Sequence, residues 1–190
     1  MTKGDTRAQI VEIGDDLLQT RGFNAFSYQD IADVLGIRKA SVHYHFAGKS
    51  DLGTALAERN ANWALNSLQH IDQMQLDPWQ QLDTFLAPFI SRIRTCTRMS
   101  PGGILAAELE TLPETMRDRN AEYFLIIHTW LTRVLAQGRN SGFMFYAAEP
   151  SVKADAIITL LEGAALLAKT RGSSAFLDPL LEDLKQSLGA

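Results

Sequence analysis

The sequence is short of nearly everything that would mark a secreted, membrane-bound or catalytic chain. It holds one cysteine in 190 residues, Cys96, which cannot close an internal disulfide, so nothing depends on an oxidising compartment. No apolar run approaches the ~20 residues that span a bilayer. The opening stretch MTKGDTRAQIVEIGDD lacks the apolar core of a secretory signal and carries acids that transit peptides avoid. The expectation is a cytoplasmic protein with no membrane partner. There is no Gly-rich phosphate loop, no HExxH, no ExxH pair and no Cys cluster. Glu108 and Glu110, two apart, diverge on a helix and make a poor carboxylate pair. Neither an enzyme nor a metal or cofactor is expected. Positive charge is also scarce: the net charge is -4. Residues 1–52 set Lys3, Arg7, Arg21, Arg38, Lys39 and Lys49 against Asp5, Glu12, Asp15, Asp16, Asp30, Asp33 and Asp51, one acid in excess. Any affinity for phosphate must come from a few cations placed on one face.

What the chain has instead is helical periodicity, repeatedly punctuated. Ile10, Ile13, Leu17 and Leu18 share a helical face, and Arg21-Gly22 reads as a last turn with a left-handed stop. Ser27 reads as an N-cap with Asp30 in the capping-box position. A short helix from Tyr28 stops before Gly36, a second runs roughly from Arg38 to His45, and a long one opens at Lys49 and ends near Met74. Pro78, Pro101, Pro113 and Pro150 sit near helix starts, where a missing N–H costs little. They set out helices over roughly 78–98, 102–110, 113–138 and 151–171, with a last one near 175–188. The only β-like stretch, Gly142 to Tyr146, is expected to be a buried loop. The fold class is all-α, with about nine helices.

Residues 28–46 read YQDIADVLGIRKASVHYHF. Two short helices crossing over a three- to four-residue turn need a small residue at the crossing and one tolerating positive φ in the turn. Ala32 and Gly36 fill those positions, and Ile31, Leu35, Ile37 and Val42 supply the apolar contacts. With the run Val42-His43-Tyr44-His45-Phe46-Ala47-Gly48-Lys49-Ser50-Asp51-Leu52 that follows, the stretch from Phe26 to Leu52 resembles the signature of the tetracycline-repressor (TetR) family of transcriptional regulators. There, a helix, a turn and a recognition helix lead into Tyr-x-His-Phe or a variant and then Lys-x-x-Leu. The resemblance covers about a quarter of the chain. It implies a helix-turn-helix DNA-binding head over residues 1–52 and a ligand-binding and dimerisation body over 53–190.

The recognition helix is then expected to put its N-terminal half against base edges in the major groove. Arg38, Lys39, Ala40, Ser41 and His43 are placed to reach them, Arg or Lys donating to guanine and the short residues admitting close approach. Tyr44, like the family's tyrosine, is expected on a phosphate, with His45 on a phosphate or a base. Ser27, Tyr28 and Lys49, at helix N-termini, are expected on phosphates. His43 and His45 lie roughly 200° apart on a helix and cannot share a metal ion. Many relatives carry Ser or Thr where Arg38 stands, Gly at Ala40 and Tyr at His43, differences that alter base preference and leave docking unchanged.

A palindromic operator requires a homodimer. The expected interface is the segment Val152 to Lys169, apolar nearly all round, through Ile157, Leu160, Leu161, Ala164, Ala165 and Ala168, with Leu177, Leu181 and Leu184 of the last helix. In the family the last two helices pair with their mates as a four-helix bundle. The family's middle helices also enclose a small-molecule effector pocket; the candidates here are Phe85, Phe89, Cys96, Ile104, Tyr123, Phe124, His128 and Trp130. Pro101 to Glu108 resembles a subgroup in which a cysteine near the Pro-Gly turn senses electrophiles. Ser100, Gly102 and Gly103 stand there instead, and Cys96 lies well before the turn, so thiol sensing is not expected. The function implied is a dimeric regulator, a repressor released from its operator by a ligand. The alternatives are an activator or a helix-turn-helix interaction protein without a small-molecule ligand.

Overall fold

The computed structural model describes residues 3–189. Among them are nine α-helices and no strand: α1 (Lys3–Arg21), α2 (Tyr28–Leu35), α3 (Lys39–His45), α4 (Lys49–Gln73), α5 (Pro78–Arg94), α6 (Pro101–Ala107), α7 (Glu114–Asn140), α8 (Pro150–Arg171) and α9 (Leu177–Gln186). The punctuation lies where the sequence sets it. Gly36 takes φ 64 as the left-handed stop of α2, a conformation that costs a residue with a Cβ about 1–2 kcal/mol. Asp77 caps α5 in a reciprocal box, Gln80 N–H donating to Asp77 Oδ1 at 3.0 Å and Asp77 N–H to Gln80 Oε1 at 3.2 Å.

Three expectations shift. The helix expected over 78–98 ends at Arg94, because Cys96 turns left-handed at φ 56. The helix expected over 102–110 breaks after Ala107 and continues as a 3-10 turn, Leu109–Thr111. The 142–146 stretch is a loop, but not a buried one: Met144 is inside while Phe143 and Phe145 are 45% and 69% exposed.

The chain forms two compact units. Of the described residues, the head takes those up to 62 and 101–123. Ile10, Leu18, Phe23, Phe26, Ile31, Ala32, Val42, Phe46, Leu52, Leu56, Leu105 and Met116 are buried there. Residue 52, the expected domain limit, falls inside α4. A loop after α1 is fastened within this unit by Glu108, whose carboxylate accepts from the Asn24 backbone N–H at 3.0 Å and side-chain amide at 3.1 Å. Gly22 stands beside it at φ 95, and a Cβ there would collide with the same carboxylate.

Of the described residues, the body takes 63–100 and those from 124 onward. Helix α5 packs on α8, and Leu82, Phe85, Leu86, Phe89, Ile93, Leu131, Leu135, Ala154, Ile157, Leu161, Ala164 and Ala168 are buried. No helix of the described residues is long and apolar enough to cross a membrane.

Candidate nucleic-acid interface and body cavity

Helix α3 has one buried side chain, Val42. With Ala32 and Ile31 fully buried beneath it, that anchor fixes which way the helix faces. Arg38, Lys39, Ala40, His43 and Tyr44 are exposed, Tyr44 by 68%, and Ser41 and His45 are half-buried. Side chains three and four apart share a helix face, so Lys39, Ala40, His43 and Tyr44 make one continuous surface with Arg38 at its N-terminal edge. Its cations carry no acidic partner in the first turn of α3. The edge of the His43 ring meets Tyr28, centroids 4.7 Å apart, which holds the imidazole against α2.

Two residues expected on phosphates lie elsewhere. Tyr28 is buried, and its hydroxyl donates to the carbonyls of Phe46, at 3.1 Å, and Gly48. Burial, with Asp51 nearby, pushes that phenol up to about 12. Lys49 is half-buried; its ammonium donates to the Phe26 carbonyl and sits over the Phe23 and Phe26 rings, 4.8 and 4.5 Å from their centroids. Desolvation lowers its pKa. Tyr28 fastens the link between α3 and α4, and Lys49 ties the start of α4 to the segment before α2, so their polar atoms face inward where a phosphate would need them outward. Ser27 is exposed, but its hydroxyl and its backbone N–H both donate to Asp30 Oδ2, at 2.6 and 2.8 Å. Those bonds, with Arg21 2.9 Å away, hold the Asp30 carboxyl at about 2. A phosphate at Ser27 would have to displace a carboxylate from both donors.

In the body, α4, α5 and α7 surround a cavity of about 280 Å³. Ala64, Leu68, Ile71, Phe85, Phe89 and Ile127 form its buried lining, and Trp63, Ser67, His70, Thr84 and Pro88 its more exposed side. Of the eight residues expected to line a pocket, Phe85 and Phe89 line this cavity. Trp130 packs its ring on Phe85 at 5.4 Å but gives its indole N–H to Asp72, and it lines a neighbouring groove. Ile104 and Tyr123 belong to the head. Cys96 follows α5, its thiol 3.6 Å from the Arg94 carbonyl. His128 faces Asp155 at 3.4 Å, and Phe124 is half-buried outside the cavity. The aromatic stripe on α7 is mostly core. The signal that marks the cavity was on α4 and α5: Trp63, Ser67 and His70 repeat at helical spacing, and Pro88 stands inside a helix.

The expected interface residues also divide. Ile157, Leu161, Ala164, Ala165, Ala168, Leu177 and Leu184 are buried inside the chain's own body, and Leu160 and Leu181 are half-buried. A buried side chain cannot meet a mate directly. The face of α8 that remains carries Val152, Ala156, Thr159, Leu166 and Leu167, all exposed, with Gly163 half-buried in the same row. The row recurs every three or four residues along the helix; Thr159 and Thr170 are polar within it, and Asp155 borders it.

An exposed polar helix seated on a glycine-turned partner defines a helix-turn-helix DNA-binding protein. Residues 10–56 match the sequence profile of the family described as bacterial regulatory proteins, tetR family. Over nearly full length the chain is 26% identical to the HTH-type transcriptional repressor NemR of Escherichia coli K12, covering 97% of this chain and 94% of that one. Among solved structures, a TetR-family regulator from Agrobacterium tumefaciens superposes with a TM-score of 0.92 at 28% identity over 100% of both chains. A TetR regulator from Legionella pneumophila gives 0.84 at 29% over 99% of this chain and 98% of that one. These likenesses are all to TetR-type regulators, the profile match falling on the helix-turn-helix region and the full-length identities lying below 30%.

Proposed function

We propose that this regulator is a homodimeric repressor that holds a palindromic operator and releases it when a small molecule fills the body cavity. The observation that carries the DNA reading is the outward surface of α3: Arg38, Lys39, Ala40, Ser41 and His43 presented to base edges, with Tyr44 and His45 toward the backbone. Tyr28 and Lys49 act beneath it as scaffold. Repression is the role of NemR, and the cavity supplies a place for an effector. Dimerisation is assigned to the exposed stripe of α8, because a largely apolar face of that length calls for a cover.

Selection of bound duplexes from random DNA tests this directly. A recovered palindrome is expected. On it, Arg38→Ala or Lys39→Ala should cost about 1–3 kcal/mol where a bidentate base contact is lost, while affinity for random duplex changes far less. Equal losses on both would remove α3 from base recognition.

A further inference from the structure

The body cavity has a chemistry of its own, and an inference about its ligand rests on the effector reading above. Its walls are aromatic in more than one orientation. Trp63 meets Phe89 edge-on, centroids 6.0 Å apart at 71°, and Phe89 meets Phe85 at 5.0 Å and 45°. Such walls offer both ring faces and ring edges, the two surfaces a flat aromatic guest pairs with. The volume of about 280 Å³ is roughly twice that of a dry cavity of about 150 Å³ that accepts benzene, which suits two fused rings. Among the described residues, His70 is the only ionisable side chain in the lining. Arg92, 6.0 Å from the Phe89 centroid, does not line it. A carboxylate or phosphate brought here would lose hydration with no fixed cation to replace it.

One polar feature is set into this apolar surface by the backbone. Pro88 lies inside α5 and has no N–H, so the carbonyl four residues earlier, that of Thr84, cannot receive its helical hydrogen bond. Thr84 and Pro88 both line the cavity. The Thr84 hydroxyl is already committed, donating to the Gln80 carbonyl at 2.7 Å. What the position offers a guest is therefore an acceptor, and an acceptor selects a donor.

We propose that the cavity takes an uncharged, flat two-ring aromatic carrying one O–H or N–H on its edge, the class of naphthols and indoles, with that donor on the Thr84 carbonyl. The test uses the full-length protein without DNA, titrated with 2-naphthol, 2-methoxynaphthalene and 2-naphthoate, read by calorimetry and by tryptophan fluorescence. The naphthol should bind at least ~10-fold more tightly than the naphthoate. It should exceed the methyl ether, which cannot donate, by about 5-fold, the worth of one net hydrogen bond. Pro88→Ala restores the helical N–H and should raise the melting temperature while erasing the gap between naphthol and ether, so the loss cannot be blamed on unfolding. Ser67→Phe, which fills the cavity from its rim, should weaken all neutral guests. Equal or tighter binding of the naphthoate, an undiminished naphthol preference in Pro88→Ala, or no binding by any probe would overturn the proposal.

Release of a selected operator, followed by anisotropy, separates this from the effector reading. Naphthol that binds without releasing DNA upholds the ligand class and defeats the effector role. Release by an anionic compound with no naphthol binding does the reverse.

Discussion

Helices α3 and α8 carry the two surfaces proposed to meet DNA and a second subunit, and they are built in opposite ways. Helix α3 buries one residue, Val42, and exposes polar side chains around it. Helix α8 buries Ala154, Ile157, Leu161, Ala164, Ala165 and Ala168, and still exposes Val152, Ala156, Leu166 and Leu167 on another side. A polar surface over a small core is legible as a surface because water suits it. An apolar surface over an apolar core is not, because residues on both sides are of the same type. The two faces of α8 are told apart mainly by which neighbours reach them; Thr159 and Thr170 in the outer row, with Asp155 at its edge, are the few polar hints.

The sharpest way to break that comparison is to place the same charge on both faces of α8. Leu161→Glu puts a carboxylate where no partner waits and should cost more than about 4 kcal/mol of stability. Leu166→Glu, at a position 56% exposed, should change the stability of the isolated chain by within about 0.5 kcal/mol yet yield a monomer that no longer holds a palindromic site. Sedimentation with thermal melts reads both. An intact Leu166→Glu dimer would take this face out of the interface.

A second test sharpens the scaffold side of α3. Lys49→Ala removes a charge-assisted bond to the Phe26 carbonyl and two ring contacts, so the head should lose about 1–3 kcal/mol. The slope of log affinity against log salt should stay as it is, since a phosphate contact would have lowered it by about one. Denaturant melts and a salt titration of operator binding measure the two separately; a lower slope at unchanged stability would return Lys49 to the DNA.

Ala32 and Gly36 were legible in the residues because a helix crossing and a left-handed turn each admit few residue types. Lys49 and Tyr28 were legible as features of the motif but not in their roles. A lysine or tyrosine at a helix N-terminus serves a phosphate or a carbonyl equally well, and only the chain passing at Phe26, Phe46 and Gly48 decides. The cavity was hidden for another reason. Phe85 and Phe89 look like core and are partly so, while the gap beside them is bounded by three separate helices, α4, α5 and α7, whose packing no single periodicity reveals.

A third, smaller effect concerns a half-buried acid of the body. Glu162 lies on α8 with the Ser100 hydroxyl 2.6 Å from both of its oxygens. Desolvation raises its pKa above the ordinary 4.5, against the pull of Ser100 and Arg92. With the folded value raised, the folded chain keeps a proton that the unfolded chain has released. The stability this supplies is full below pH 4.5 and is lost as pH rises through the folded value. Glu162→Gln cannot ionise, so its melting temperature should gain on the parent as pH rises. Parallel curves across the acid-to-neutral range would show that the carboxylate is as well solvated folded as unfolded.

The smallest expected change is the most discriminating between the two faces. Gly163 stands in the middle of α8, and a Cβ added there meets nothing within 4 Å in the chain itself. Ala is favoured over Gly in a helix interior by about 0.5–1 kcal/mol, so Gly163→Ala should stabilise an isolated chain by that much. If the exposed stripe is where a mate's helix lies, the position is open only until the mate arrives, and the same methyl occupies space that close helix packing needs. The dimer dissociation constant measured by dilution should then rise while the melting temperature of the dissociated chain also rises. A gain in both dimer affinity and chain stability would mean that no backbone approaches Gly163, and that the subunits meet elsewhere.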